Sequence, residues 1–161
     1  MQIYTGYGRS PIGIIEIKAT DNVLVSVKIL NEGIIDNSTT TEASVVIKKT
    51  IAQLKKYFEG RLKQFDLPLA FIGTEFQQKV WQELLKIPFG QTITYGQLAL
   101  RLGSKDLSRA VGNANGKNPL WIIIPCHRVI GCKGELVGYA GGLWRKKWLL
   151  EHEGCQKRLF L

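Results

Sequence analysis

The stretch that most restricts how this chain can fold is the apolar run at 120–125, Leu-Trp-Ile-Ile-Ile-Pro, among the longest apolar runs in the 161 residues. Its β-branched centre, Ile122-Ile123-Ile124, predicts a short buried strand, and that strand hands the chain directly to Cys126-His127-Arg128. A rigid apolar support ending at a cysteine is a way to hold a sulfur at one position. A loop through Gly131, Gly134, Gly138, Gly141 and Gly142 follows. The run is far too short to span a bilayer, so a soluble globular protein that touches no membrane is expected.

The first half has a different pattern. Residues 2–7, 12–19 and 23–30 alternate like strands, with turn signals at Ser10-Pro11 and Asp21-Asn22, which predicts an antiparallel meander. A polar, turn-rich stretch at 32–41 comes next. Val45, Val46, Ile47, Ile51, Leu54, Tyr57 and Phe58 then recur at helical spacing up to Gly60. This small α/β unit ends near Leu67-Pro68. In the second half Thr74 caps a helix carrying Phe76, Val80, Trp81, Leu84 and Leu85 on one face, broken at Pro88-Phe89-Gly90. Further helices are predicted at 95–102, at 105–115 after the cap Ser104, and at 144–151. The expected organisation is therefore α+β, with an N-terminal domain at 1–70 and a mainly helical one at 71–161.

Charge narrows the partner. Lysine and arginine outnumber aspartate and glutamate by 22 to 13, a net +9, which is the footprint of a chain that meets a polyanion, with nucleic acid foremost. A basic solvated surface is the alternative. The helices at 95–102 and 105–115, joined at Gly103-Ser104, have the lengths of a helix-turn-helix. Ala110, Gly112 and Ala114 leave the second helix smooth, with only Arg109 and Asn113 projecting strongly. Such a helix can approach DNA closely but carries few side chains able to read base edges. Close packing against another helix would use the same small residues.

The three cysteines are an odd number with none before Cys126, so no disulfide framework is expected. The N-terminus lacks a basic region followed by an apolar stretch, which predicts an intracellular protein, cytoplasmic or, in a eukaryote, nuclear. A thiol becomes a nucleophile beside a base or positive charge, and His127 and Arg128 directly follow Cys126. Only two histidines exist, His127 and His152, and Glu153 follows the second, so nucleophile, base and orienting carboxylate are all available. Spacing leaves open which histidine is the base. Zinc held by Cys126, Cys132, Cys155 and a histidine is disfavoured because no Cys-x2-Cys pair is present. Cys132 and Cys155 are assigned to packing.

These residues resemble the O6-alkylguanine-DNA alkyltransferase family. The likeness rests on Ile124-Pro125-Cys126-His127-Arg128-Val129, Ser108-Arg109-Ala110-Val111-Gly112, Asn118-Pro119 and Trp148-Leu149-Leu150-Glu151-His152-Glu153-Gly154, with Val80-Trp81 and Ile87-Pro88-Phe89-Gly90 at the entry to that region. It is strong over 73–154 and weaker before. The resemblance implies a ribonuclease H-like first domain and a winged-helix-like second domain that contains the helix-turn-helix and lies in the minor groove of DNA. It implies that Cys126 accepts an alkyl group from O6 of a flipped guanine, irreversibly and once, and that O4-alkylthymine is a further substrate. By the same likeness His127 deprotonates Cys126 through a water, Glu153 orients His127, and Asn118 orders the active-site turn. Tyr95 donates to guanine N3, Arg109 fills the vacated base stack, and Gly96 and Ser104 lie at the DNA. Val129, Tyr139, Ala140 and Gly141 line the substrate pocket, where some relatives have serine in place of Ala140. No cofactor and no metal are implied. The partner is double-stranded DNA containing O6-alkylguanine, bound by a monomer, with cooperativity on DNA open. A lesion-binding protein without transfer chemistry is the alternative, from which Cys126 itself distinguishes this chain. A turnover cysteine hydrolase leaves the charge and the helix pair unexplained.

Overall fold

In the computed structural model, residues 2–31 and 44–155 are described; the polar stretch expected at 32–41 lies outside them. The described chain divides into two compact units, one formed by residues up to 72 together with 119–123, the other by 73–118 together with 124–155.

The first unit is the meander. Strands β1 (Tyr4–Ser10), β2 (Gly13–Ala19) and β3 (Leu24–Leu30) pair antiparallel in that order. Alternation places Ile15, Ile17 and Ala19 of β2 inward with Leu24, Val27 and Ile29 of β3. Helix α1 (Val45–Phe58) starts at Ser44, whose side chain accepts from the Ile47 amide, and buries Val46, Ile47, Thr50, Leu54 and Tyr57 while contacting β1 and β2.

The run at 120–125 departs from expectation. It is not a strand: Leu120 makes one parallel bridge to Val27, with Val27 N–H donating to the Pro119 carbonyl at 2.9 Å and Trp121 N–H to the Val27 carbonyl at 3.0 Å. The chain then turns, Ile123 N–H reaching back to the Trp121 carbonyl at 2.8 Å, and Ile122 takes a left-handed φ of 72°. Short apolar runs signal burial, which strand and turn share, and prolines at both ends limit any ladder. The same pairing carries 119–123 back to the first unit, so the simple division at residue 70 becomes one at 72/73 with a returning segment.

The second unit contains α2 (Glu75–Leu84), β4 (Ile93–Thr94), α3 (Tyr95–Arg101), α4 (Ser108–Gly116), β5 (Val129–Ile130) and α5 (Leu143–His152). Capping boxes at Thr74/Gln77 and Thr94/Gln97 fix the starts of α2 and α3. Helix α2 ends before Pro88, and Leu85 is its C-cap, exposed rather than on the buried face. Ser104 caps a 3-10 turn at Lys105–Leu107 instead of α4 itself, which begins at Ser108. Val80, Trp81, Leu84, Leu98, Val111 and Ala114 are buried, and the Trp81 indole donates to the Ala114 carbonyl at 2.9 Å, tying α2 to α4.

Candidate active site

Every group expected to do chemistry lies in the second unit. Cys126 opens a 3-10 turn, Cys126–Arg128, that runs straight into β5. The parallel pairing Ile93↔Val129 and Thr94↔Ile130 brings β4, and hence Tyr95 at the start of α3, beside that turn. Two buried asparagines clamp the main chain around the cysteine. Asn118 Nδ2 donates to the Ile124 carbonyl at 2.8 Å, and Asn115 Nδ2, from α4, to the Cys126 carbonyl at 3.3 Å. Clamped turn geometry thus holds the sulfur where a strand was expected to.

Next to it is a buried charged cluster. His127 Nε2 and Glu153 Oε2 are 2.8 Å apart, both side chains fully buried. Arg128 grips the same carboxylate from the other side, Nε to Oε1 at 2.8 Å and Nη2 to Oε2 at 3.0 Å, while its Nη1 donates to the Ile87 carbonyl at 2.6 Å. Burial alone would raise the Glu153 carboxyl, but His127 and Arg128 outweigh it and hold the group well below the ordinary carboxylate range. An anionic acceptor requires the proton on His127 Nε2, which leaves Nδ1 with its lone pair and no hydrogen-bond partner among the described residues. Burial lowers His127 below the usual histidine value, Glu153 opposing, and the ring is neutral at pH 7. Burial raises the Cys126 thiol, with Asn118 and Lys146 pulling part of the way back. The resting pair is a thiol and a neutral imidazole. Gly90 matters for this cluster because its φ is 81° and a Cβ there would sit 3.1 Å from the Glu153 carbonyl.

Other anticipated residues fall as follows. Tyr95 donates its hydroxyl to the Val137 carbonyl at 2.9 Å, and burial with the nearby Cys126 charge pushes its pKa up to about 12, Asn115 opposing. Val129 and Gly141 are buried, Tyr139 half-buried with its phenol raised by burial, and Ala140 exposed. Arg109 and Asn113 project from α4 into solvent; Gly96, in the first turn of α3, and Ser104 are half-buried. His152 stacks on Trp148 with ring centroids 4.9 Å apart, and Glu153 pairs with His127 instead. Cys155 packs against Ile130, Leu136 and Leu150, whereas Cys132 is exposed, contrary to the packing role expected of it. Among the described residues no three His, Cys, Asp or Glu side chains gather as metal ligands.

Three features were missed. Arg128 was expected to serve as positive charge for the thiol, and it is committed to Glu153. Asn115 was not singled out. Lys146, fully buried, was not either, although helical spacing back from Leu149-Leu150 and forward to Glu153 puts Arg145-Lys146 on the same buried face of α5.

Both units have recognised counterparts. The model described as 6-O-methylguanine DNA methyltransferase, ribonuclease-like domain, matches residues 3–71, and that for the DNA binding domain of the same enzyme matches residues 75–155. The chain belongs to the 6-O-methylguanine DNA methyltransferase family. Within it, the chain is 45% identical over 145 residues to the methylated-DNA–protein-cysteine methyltransferase of Mycobacterium tuberculosis H37Rv, covering 89% of this chain and 88% of that one. With its counterpart from Methanosarcina acetivorans it shares 44% over 154 residues, covering 94% and 99%. The crystal structure of the M. tuberculosis O6-methylguanine methyltransferase superposes with a TM-score of 0.84 at 42% identity, over 94% of this chain and 93% of that one. The same organism's protein solved in complex with DNA gives 0.83 at 42% identity, over 95% and 92%. The methyltransferase fold of these structures is the two-part α+β arrangement expected from the sequence.

Proposed function

We propose that this chain repairs DNA by transferring the alkyl group of O6-alkylguanine in a duplex to Cys126, in a single irreversible turnover. The observation that carries the reading is the buried Cys126 turn set against the His127–Glu153–Arg128 cluster, in a chain of this family. The target atom lies inside the duplex, so the nucleotide has to be extruded, at a few kcal/mol. Arg109, exposed on α4, is suited to fill the gap, and the small residues around it suit close approach to a minor groove. The alkyl carbon is then held in line between O6 and Sγ, a positioning contribution of up to ~7–11 kcal/mol.

In the transfer itself the S–C bond forms as the C–O6 bond breaks. The thiol proton passes by a solvent relay to His127 Nδ1, and the imidazolium that forms is stabilised by Glu153, already ionised and fixed by Arg128. Tyr95, a neutral phenol whose pKa burial lifts further to about 12, offers its hydroxyl to guanine N3 so that the base does not leave as an anion. The proton lost by the thiol balances the one gained by guanine. Because burial raises the thiol, preformed thiolate contributes little, and removal of the proton during transfer carries the activation. The product is a thioether, whose C–S bond is stable to water.

The test is intact-mass analysis after incubation with duplex DNA containing O6-methylguanine. One hydrogen is replaced by one methyl group, the change maps to the peptide holding Cys126, and it stops at one equivalent. No change in the wild-type mass, or equal transfer by Cys126→Ala, would falsify the reading; turnover beyond one equivalent would mark a hydrolase.

A further inference from the structure

Helix α5 begins with a feature that the transfer chemistry does not use. Its first turn holds two basic residues, Arg145 and Lys146, both buried, at the end of a helix where the macrodipole disfavours positive charge. Both turn back onto main-chain carbonyls of the glycine-rich loop. Arg145 Nη1 donates to Gly141 at 2.9 Å, and Lys146 Nζ donates to Val137 at 2.9 Å with a longer approach to Gly138 at 3.5 Å. The Val137 carbonyl is the acceptor that also receives the Tyr95 hydroxyl, and Lys146 Nζ lies 5.8 Å from the centre of the Tyr95 ring. Gly138 has a φ of 63°, and a Cβ there would meet the Tyr95 hydroxyl at 3.5 Å, so the loop passes close beneath the phenol.

We infer that Lys146 is a positioning residue for the guanine seat: its ammonium pins the main chain at Val137 and Gly138 and thereby holds the 139–141 segment and the Tyr95 hydroxyl in register with Cys126. This rests on the function proposed above. Tyr95 cannot donate to a guanine nitrogen and to Val137 with the same hydrogen. A carbonyl that keeps a second donor gives up the first at smaller cost, so Lys146 lets the hydroxyl change partners while the loop stays in place. Burial lowers the Lys146 pKa to about 8, Cys126 opposing, which leaves the ammonium the main form at pH 7. A lysine kept buried this way, with its charge aimed at backbone rather than at a carboxylate, has its place set by where the loop must be.

The experiment compares two reactions of the same sulfur. Methyl transfer from duplex O6-methylguanine needs the guanine seat; alkylation of Cys126 by iodoacetamide does not. The ratio of the two second-order rate constants, the iodoacetamide adduct being followed on the peptide that holds Cys126 because Cys132 is exposed, is measured at one pH for wild type, Lys146→Met and Lys146→Arg, each shown to be folded by circular dichroism. Positioning predicts a ratio tenfold or more lower in both variants, because arginine keeps the charge but moves the donors. A ratio unchanged in both, or restored to the wild-type value by arginine, overturns the inference and leaves Lys146 as packing or as a counter-charge to sulfur. If the methionine variant does not fold, the arginine variant carries the test alone. A wild-type protein that reacts with iodoacetamide but takes no methyl group defeats the function reading instead, a result visible before any variant is made.

Discussion

Among the described residues of the first unit the buried polar side chains are Thr20, Ser44 and Thr50, all neutral and all bonded within their own element or turn. The second unit buries His127, Arg128, Arg145, Lys146 and Glu153, whose partners lie on other segments. Apolar burial with local capping is enough to hold the first. In the second, the charges of Arg128, Arg145, Lys146 and Glu153 are kept out of water at a desolvation cost that works against their pairing, and well-packed apolar residues in place of a buried ion pair are often no less stable. The difference agrees with the function proposed for the second unit, in which a proton has to move and a loop has to be held at one place.

The largest expected effect breaks the second unit. Glu153→Ala leaves the Arg128 guanidinium buried without its acceptor and should cost about 3–5 kcal/mol, read by urea unfolding. The same carboxylate sets an acid limit. Its folded pKa lies below the unfolded value of roughly 4.3, so its contribution is complete above that pH and is lost as pH falls through it. Glu153→Gln should flatten the acid side of the stability profile, and an unchanged slope would count against the buried carboxylate. Next comes Leu54→Ala in α1, which should cost about 2–5 kcal/mol as a cavity in the first unit while the methyl-transfer rate per folded molecule stays at the wild-type value. A matching loss of rate would erase the distinction between the units. Thr94→Ala removes one half of the capping box at the start of α3 and should cost about 1 kcal/mol, with a modest loss of transfer because Tyr95 is the next residue. Smallest in stability is Arg109→Ala, exposed on α4: the melting temperature should not move, yet repair of duplex lesions should weaken more than reaction with free O6-benzylguanine. Equal losses on both substrates would remove Arg109 from base extrusion.

Much of this was legible in the chain. The three strands, the first helix, the cap at Thr74 and the helix pair follow from alternation, helical spacing and cap residues, which act over a few positions. The apolar run at 120–125 was legible only as buried. Its turns, and the left-handed Ile122, answer to the bridge between Leu120 and Val27, a pairing no local pattern announces. Lys146 hid because its charge argued against the buried face that its spacing indicated.

The sequence by itself determined most local elements and, through Ile124 to Val129 and the motif at 148–154, the family and the cysteine proposed to react. Only the tertiary structure decided the state of that thiol. The carboxylate that sets the tautomer of His127 stands 26 residues further on, and the burial that raises Cys126 and Tyr95 and lowers His127 is shared among segments from several parts of the chain. Backbone preference is a property of neighbours in sequence, whereas a pKa or a hydrogen-bond partner depends on what surrounds the group in space.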